Sequence, residues 1–187
     1  MVRPEPWTTL SAEVVYECAG FEVISETVSI PGGPTTAFDY VREGKSVVIV
    51  PVTPSGEVVT IEEYREAVDR VSWGIPAGGV EPDDDSIAAA ARRELVEETG
   101  YEADTIDPLG AFEAANGFTD ATHVYVLAEG CEPTAEPERD SDESITVDTT
   151  PPESLREAIA AGELRDGRSA LGLLYVATYR PEVFDAT

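Results

Sequence analysis

The first half of the chain contains several short runs rich in Val, Ile, Phe and Tyr, separated by turn residues. Runs of this kind predict strands, and the sequence PGGP at 31–34 predicts a turn between two of them. The apolar run VVIVPV at 47–52 predicts a central strand of the sheet. The predicted strands are 13–30 with a break at Ala19-Gly20, 37–42, 46–52 and 57–64.

The second half of the chain mixes helices with strands. A helix is predicted at 86–99, because Ser86 is a suitable N-cap, alanines fill the first half and Gly100 can end the helix. The stretch 130–144 is rich in Pro, Glu, Asp and Ser and is predicted to be a mobile loop. Strands and helices do not alternate strictly, so we expect an α/β fold of the α+β kind, with a mixed sheet between helices. The remaining predicted elements are strands at 107–113, 122–128 and 145–148 and helices at 151–161 and 166–179.

The composition is that of a globular protein. The 187 residues, 42% of them hydrophobic, suffice for one domain with a sizeable core. Cys18 and Cys131 form no metal or redox spacing, so we expect two buried thiols rather than a disulfide. No apolar run of about 18 residues occurs and no segment resembles a signal peptide, which predicts no membrane span and a cytoplasmic location.

The charge balance is unusual. Asp and Glu number 38 against 12 Lys and Arg, giving a formal net charge of −26, and Lys45 is the one lysine. Exposed carboxylates repel one another across about 10 Å at 0.1 M salt, but across only about 3 Å at 1 M. The acids are spread along the chain, unlike those of an acidic disordered tail or a nucleic-acid mimic. This predicts a salt-adapted (halophilic) protein that does not bind nucleic acid through its phosphates.

Three acidic residues cluster on the predicted helix at 86–99. At about 100° per residue, Glu94, Glu97 and Glu98 fall within roughly a quarter turn. Like charges at this spacing, close to a helix C-terminus, destabilise the helix by up to about 1 kcal/mol. A hard cation such as Mg²⁺ would reverse that penalty, because it binds carboxylate oxygens. The alternative interpretation is that these are further acids of a salt-adapted surface.

The segment around these acids resembles the Nudix box. That motif runs Gly, five residues, Glu, seven residues, and then Arg-Glu-apolar-any-Glu-Glu-any-Gly-apolar. Asp85 stands here in place of the first glutamate, and Tyr101 stands where an aliphatic residue is commoner. The positions with matching spacing are Gly79, Arg93, Glu94, Leu95, Glu97, Glu98, Gly100 and Tyr101.

A wider resemblance covers nearly the whole chain and points to the ADP-ribose pyrophosphatase branch of that family. It is carried by Tyr64-Arg65, Pro76-Ala77-Gly78 and the segments 116–120, 142–145 and 161–166. The sequence departs from the branch in two ways. Gly79 follows Ala77-Gly78, which makes the loop one residue longer, and Gly74 stands where the branch often has glutamate.

The resemblance implies both the architecture and the assembly. We expect a Nudix-type α/β/α sandwich at 46–187, preceded by an N-terminal antiparallel strand region at 1–45. In the branch that this chain resembles, such strands reach across to a second copy, so a homodimer is expected.

The resemblance also implies a metal site and catalytic residues. Mg²⁺, or Mn²⁺, would be bound by Glu94, Glu98 and the Ala77 carbonyl. Glu97 would be a shared ligand or contact the metal indirectly, and it also counts among the candidate catalytic residues. Arg93 would orient these acids as an ion-pair partner, with helix solvation as its alternative role. The proposed general base is Glu143, although Glu138, Asp140 and Asp142 lie in the same acidic loop and remain open alternatives.

Four further residues are candidates for substrate binding. Arg65 suits a bidentate phosphate contact, with a surface ion pair as the alternative. Trp73 would stack on a nucleobase or else belong to the core. Gly78 and Gly79 would line the loop before the helix.

The function implied is Mg²⁺-dependent hydrolysis of the diphosphate in a nucleoside diphosphate derivative. The leading substrate is ADP-ribose, which would give AMP and ribose 5-phosphate. One alternative is a hydrolase of another nucleoside diphosphate sugar. A second is a non-catalytic Nudix-fold sensor of nucleotide sugars, which would normally have lost the box acids that are present here.

Overall fold

A computed structural model of the chain describes residues 5–134 and 144–185, and it confirms the predicted α/β fold. The chain forms two compact units. The first unit comprises the described part of Met1–Gly44 together with Glu113–Thr122. The second comprises Lys45–Phe112 and the described part of His123–Thr187.

The first unit contains a three-stranded antiparallel sheet. Its strands, in the order β1-β2-β3, are β1 (Thr8–Glu17), β2 (Glu22–Ser29) and β3 (Thr35–Arg42). The turn predicted at 31–34 joins the last two, and the break predicted at Ala19-Gly20 separates the first two. All of β1 is exposed to solvent.

The second unit is built on a seven-stranded sheet. Its strands are β4 (Lys45–Val52), β5 (Val58–Arg65), β6 (Arg70–Gly74), β7 (Ala77–Gly79), β9 (Thr105–Glu113), β10 (Thr122–Glu129) and β12 (Ile145–Thr150). Five of these strands follow the order β12-β5-β4-β10-β9, while β6 pairs with β5 and β7 pairs with β4. The prediction that 46–52 is a central strand is confirmed, because every residue from Val47 to Val52 is buried.

Helices cover both faces of this sheet. Helix α1 (Ile87–Thr99) packs Ala91 and Leu95 against the side chains of Val47 and Ile49 on one face. Helices α2 (Pro152–Ala161) and α3 (Gly167–Tyr179) pack on the other face, against the alternate side chains of β4. The result is the predicted α/β/α layering of this unit, because successive residues of a strand point to opposite faces.

Helix α1 begins and ends where the sequence predicts. The Ser86 hydroxyl accepts a hydrogen bond from the backbone N–H of Ala89 at 3.1 Å, which satisfies one of the free donors of the first turn. Gly100 ends the helix in the left-handed conformation, with φ of 73°, where a side chain would be strained.

Several short elements and one cysteine differ from the sequence-based expectations. Strands β6 and β7 were not predicted, and neither was the small pair β8 (Tyr101–Glu102) and β11 (Glu132–Pro133). Cys131 is buried as expected, but the expectation for Cys18 is wrong, because it is exposed next to the turn after β1. The described ranges contain no helix that is both long and apolar enough to span a membrane.

Candidate active site

The C-terminal half of α1 carries the three predicted metal ligands. Glu98 is 4% exposed and is the one acidic residue of the described ranges that is buried as a whole. Its Oε2 accepts a hydrogen bond from the backbone N–H of Ala77 at 3.1 Å. Burial of a carboxylate costs free energy unless it has partners, so Glu98 is not explained as another acid of a solvated surface.

Strand β7 lies directly against Glu94. The pairing of β7 with β4 sets Ala77 opposite Val48 and Gly78 opposite Val47. A Cβ atom built on Gly78 would overlap the Glu94 carboxylate, whereas one built on Gly79 would meet nothing within 4 Å. Glycine at 78 is therefore what allows the carboxylate to approach the backbone of the loop so closely.

Arg93 organises the other acids. Its Nη1 donates to Glu94 Oε1 and to Glu97 Oε2, each at 2.8 Å. Its Nη2 donates to the Gly79 carbonyl at 2.8 Å and to Asp84 Oδ2 at 2.9 Å. The ion pairing predicted for Arg93 is thus present, whereas its part in catalysis stays a prediction.

Asp84 is a site residue that the sequence analysis missed. Both of its carboxylate oxygens accept hydrogen bonds from Arg93, and Oδ2 also accepts the N–H of Glu81 at 2.8 Å. These contacts hold the pKa of Asp84 below its usual range, and the same Asp84 contact is the main reason why the pKa of Arg93 is raised. Motif spacing selects Asp85, and the run of three aspartates at 83–85 gives no signal that the middle one faces the arginine.

The residues present fit a hard divalent cation, although the described residues do not form a finished metal site. Within residues 5–134 and 144–185, no three His, Cys, Asp or Glu side chains gather in a metal-binding group. Glu94 and Glu97 are instead engaged by Arg93. The carboxylate oxygens of Glu98 and Glu94 lie beside Ala77 and Gly78 and are nevertheless of the kind that Mg²⁺ prefers. The two glutamates belong to successive turns of α1.

The loop between β6 and β7 is held at three consecutive residues. The backbone N–H of Ile75 donates to Ser169 Oγ at 3.0 Å, the Pro76 carbonyl accepts from Ile49 N at 2.9 Å, and Ala77 N donates to Glu98. Ser169 is completely buried in α3. These contacts connect α3, the sheet and α1, so both helical layers fix the position of the loop.

Asp166 completes this arrangement. Its Oδ2 accepts the Ser169 hydroxyl at 2.6 Å, which orients the Ser169 oxygen to accept from Ile75. Burial raises the pKa of Asp166, but hydrogen bonds from Ser169 and the charge of Arg168 outweigh burial and lower it overall. Asp166 is therefore a charged N-cap of α3 as well as a partner of Ser169.

The other predicted site residues lie apart from this cluster or outside the description. Arg65 ends β5 and forms an ion pair with Glu63 at 2.6 Å, which is the alternative left open by the sequence. Trp73, on β6, packs against the core cluster on the α3 side. Glu143 and its alternatives Glu138, Asp140 and Asp142 lie outside the described residues.

Comparison with known proteins agrees with this geometry. The NUDIX domain family model matches residues 42–169. An ADP-ribose pyrophosphatase of Bacillus subtilis (strain 168) is 27% identical over 169 residues, covering 90% of this chain and 91% of the relative. A second, from Mycobacterium tuberculosis (strain ATCC 25618 / H37Rv), is 28% identical over 169 residues, covering 90% and 82%. A solved structure described as an ADP compounds hydrolase superposes with a TM-score of 0.86 at 21% identity over the full length of both chains, a likeness of fold.

The fold and the acidic helix define the class of protein. An α/β/α sandwich presents a helix with three glutamates to a glycine-containing loop, within the segment that the domain comparison matches. The chain belongs to the Nudix family and is a Nudix hydrolase. Hydrolases of this family generally use divalent metals.

Proposed function

We propose that this Nudix hydrolase cleaves ADP-ribose to AMP and ribose 5-phosphate in a Mg²⁺-dependent reaction. The observation that carries the proposal is the buried Glu98 bonded to Ala77, with Glu94 packed on Gly78. Support for the substrate comes from two relatives named ADP-ribose pyrophosphatase, each aligned over 90% of this chain. In its broader form, the proposal is that the substrate is a nucleoside diphosphate derivative.

The proposed ligands of Mg²⁺ are Glu94, Glu97, Glu98 and the Ala77 carbonyl. When bound, the metal supplies a Lewis acid for the diphosphate oxygens and an activated water. Arg93 holds Glu94 and Glu97 in place through its two 2.8 Å hydrogen bonds, and Asp84 fixes the arginine in turn. Glu98 holds the loop through Ala77, so the backbone and the carboxylates keep one relative geometry.

The remaining roles are proposals that rest on the family resemblance. Glu143 serves as the general base, and Arg65 contacts a phosphate after leaving Glu63. Trp73 contacts the base of the substrate through the part of its ring that does not pack against the core. Gly78 and Gly79 let the substrate approach the loop backbone closely.

We also propose that the protein is a cytoplasmic homodimer in a salt-rich cell. The exposed apolar side chains of β1, among them Leu10, Val14 and Tyr16, support a role of the N-terminal strands in dimerisation. The net charge of −26 supports the salt adaptation. Light scattering in high salt tests the assembly, and a mass near 20.0 kDa would contradict the dimer.

The test of the function is a turnover screen in molar KCl. Purified protein is assayed with Mg²⁺ against ADP-ribose and a panel of nucleoside diphosphate sugars, with products resolved by chromatography. Glu98→Gln and Glu94→Gln should each abolish most of the turnover, whereas Glu157→Gln removes one exposed charge from α2 and should not. Near-normal turnover of either box variant at saturating Mg²⁺ would contradict the metal assignment. Tight binding of a nucleotide sugar without turnover would favour the sensor alternative.

A further inference from the structure

A histidine and a serine are hydrogen-bonded at the end of the seven-stranded sheet where β4 and β10 begin. His123 is the single histidine of the chain and a half-buried residue of β10. Its Nδ1 lies 2.6 Å from the Ser46 hydroxyl, and the imidazole tautomer sets which of the two groups donates. Both residues belong to the second unit, in which β10 and β4 are neighbouring strands. The bond therefore ties the starts of two adjacent strands together.

Both side chains point away from the glutamates of α1. Successive residues of a strand point to opposite faces of the sheet. Val47 packs on the α1 side, so Ser46 points to the side of α2 and α3. His123 points to the same side, because Tyr125, two residues further along β10, packs there. Any effect of His123 on the acids of α1 therefore passes through the backbone of β4 and its neighbours.

Ser46 lies directly opposite Gly79 in the pairing of β4 with β7. The backbone N–H of Val80 donates to the Lys45 carbonyl at 2.9 Å, so these two residues form a hydrogen-bonded pair. Hydrogen-bonded and non-hydrogen-bonded pairs alternate along an antiparallel ladder, and residues approach most closely in the second kind. Ser46 and Gly79 form such a close pair, in which the Gly79 carbonyl points away from β4.

The Gly79 carbonyl connects β7 to the acidic cluster of α1. It accepts a hydrogen bond from Arg93 Nη2 at 2.8 Å, and the same guanidinium binds Glu94 and Glu97 through Nη1. Gly79 is exposed and has no side chain that could pack against a neighbour. The position of its carbonyl therefore depends on how closely the start of β4 holds the end of β7.

We propose that His123 is a positioning residue of the active site and that it acts through the Ser46 hydroxyl. The bond fixes the start of β4 against Gly79, and the Gly79 carbonyl in turn holds Arg93 against the acids of α1. His123 thus supports the end of β7 from the same side of the sheet on which Ser169 supports its beginning. The inference rests on the proposed role of Arg93, and it does not depend on which nucleoside diphosphate derivative is the substrate.

The first test is hydrogen exchange at the Val80 N–H, followed by NMR. This N–H bonds to the first residue of β4 and so measures how firmly β7 is held beside Ser46. His123→Phe keeps a ring but removes both nitrogens, and Ser46→Ala removes one oxygen atom. Each variant should speed this exchange about tenfold, which corresponds to the loss of one hydrogen bond. The Thr53 N–H, bonded in the turn at the far end of β4, should exchange at the wild-type rate.

Kinetics then test whether the effect reaches the acids. At saturating Mg²⁺, His123→Phe and Ser46→Ala should each lower kcat about tenfold and change KM less than twofold, because they displace Arg93 and leave substrate contacts intact. The double variant should lose no more than either single variant, since both remove the same bond. His123→Asn keeps a polar atom near the position of Nδ1 and should recover most of kcat. Ser55→Ala, which removes an exposed hydroxyl at the far end of β4, is the matched control and should behave like the wild type.

Ser46→Ala alone is sufficient to overturn the proposal, so the test does not depend on the folding of His123→Phe. Unchanged exchange at Val80 in Ser46→Ala would show that the bond does not hold β7, whether or not ADP-ribose is hydrolysed. A full tenfold loss of kcat from Ser46→Ala in an Arg93→Gln background would show that the effect does not pass through the arginine. Faster exchange at Val80 in a protein that hydrolyses no nucleoside diphosphate derivative would contradict the proposed function and leave the support of β7 by His123 standing.

Discussion

The Ser169 hydroxyl accepts the backbone N–H of Ile75 at 3.0 Å, although 94 residues separate the two in the sequence. Both partners are buried, so the N–H has no access to water if the hydroxyl is removed. A Cβ on the preceding residue, Gly74, would overlap the same hydroxyl. The contact therefore sets where the chain enters the loop that ends at Ala77.

Ser169→Ala is expected to weaken the proposed metal site from the opposite face of the sheet. The variant leaves the Ile75 N–H unsatisfied, at a cost of about 1–3 kcal/mol in the free energy of unfolding. The midpoint for activation by Mg²⁺ should also rise, because the Ala77 carbonyl is no longer held in place. Thermal unfolding and Mg²⁺ titration of turnover measure the two effects.

The control for this prediction lies on the same helix. Thr178 is exposed, and its hydroxyl donates only to the Leu174 carbonyl of α3 at 2.6 Å. Thr178→Val removes that hydroxyl and should leave the Mg²⁺ midpoint unchanged. If Ser169→Ala lost stability but kept the wild-type Mg²⁺ midpoint, Ser169 would be a packing residue and not one that positions the loop.

Gly78→Ala is expected to be much more damaging than Gly79→Ala. The new Cβ at 78 would overlap the Glu94 carboxylate, whereas at 79 it meets nothing within 4 Å. Displacement of a catalytic group by about 1 Å can cost about 100-fold in rate, so we expect a loss of that order for Gly78→Ala. Steady-state kinetics of both variants, with Gly44→Ala as a control in open space, measure the difference. Equal losses at 78 and 79 would show that the approach of Glu94 is not what requires glycine.

A comparison of Asp84→Asn with Asp85→Asn shows which aspartate takes the role of the first glutamate of the Nudix box. Asp84 binds Arg93 through both oxygens, so Asp84→Asn should release Arg93 and lower turnover at least about tenfold. Asp85→Asn should have little effect on turnover. A larger loss of turnover in Asp85→Asn than in Asp84→Asn would mean that motif spacing identifies the functional residue better than the contacts with Arg93 do.

The ion pair between Asp84 and Arg93 predicts that the stability of the protein depends on pH. Since the pKa of Asp84 is lowered in the folded state, its stabilising contribution is present above the unfolded value of about 3.9. The contribution is lost as pH falls through the folded-state pKa. Urea unfolding should therefore show the wild type more stable than Asp84→Asn above about pH 5, with the difference shrinking as the solution is acidified further. A difference that did not change with pH would exclude the ion pair as its origin.

The sequence predicts the elements whose signals are local. The helix α1 could be placed to within one residue because Ser86 and Gly100 cap it, and the core strand β4 because it is uniformly apolar. Strands β6 and β7 are five and three residues long, and among the described residues β6 pairs with β5 and β7 with β4 alone, so nothing within these two strands reveals the pairing. Short elements of this kind depend on contacts that the chain makes elsewhere.

In the candidate site, too, the sequence predicts the features that depend on neighbouring residues and misses those that depend on distant ones. The acidic stripe of α1 follows from helical spacing alone. The roles of Asp84 and Ser169 do not, because each depends on which of several similar residues faces a partner nine or more positions away.

The two cysteines should differ in reactivity. Burial raises the pKa of the Cys131 thiol to about 12, and its Sγ donates to the Ala128 carbonyl, whereas Cys18 is exposed. Since the thiolate is the reactive form, an aromatic disulfide reagent at pH 8 should modify one thiol rapidly and the other only after unfolding in urea. Cys18→Ser should remove the fast phase. Two fast thiols in the native protein would show that Cys131 is accessible.

The stability of the protein should depend strongly on salt. With 38 acids against 12 cations, self-repulsion should destabilise the folded state wherever screening is weak. We expect the thermal midpoint to rise steeply from about 0.1 M to several molar KCl, because the screening length shortens roughly threefold by 1 M. A protein equally stable in dilute buffer and in multimolar KCl would show that its acidic surface is not a salt adaptation.

A Mg²⁺ series separates this screening from binding at the site. Concentrated salt also strengthens apolar burial, so KCl alone does not identify the cause of a rising midpoint. Low millimolar MgCl₂ is too dilute to screen well but stabilises any state that binds it, by mass action. In Glu98→Gln the increment from MgCl₂ should shrink while the slope with KCl persists, since the variant removes one carboxylate of the site and leaves the rest of the surface unchanged. An undiminished MgCl₂ increment in that variant would place the bound metal elsewhere than at Glu98.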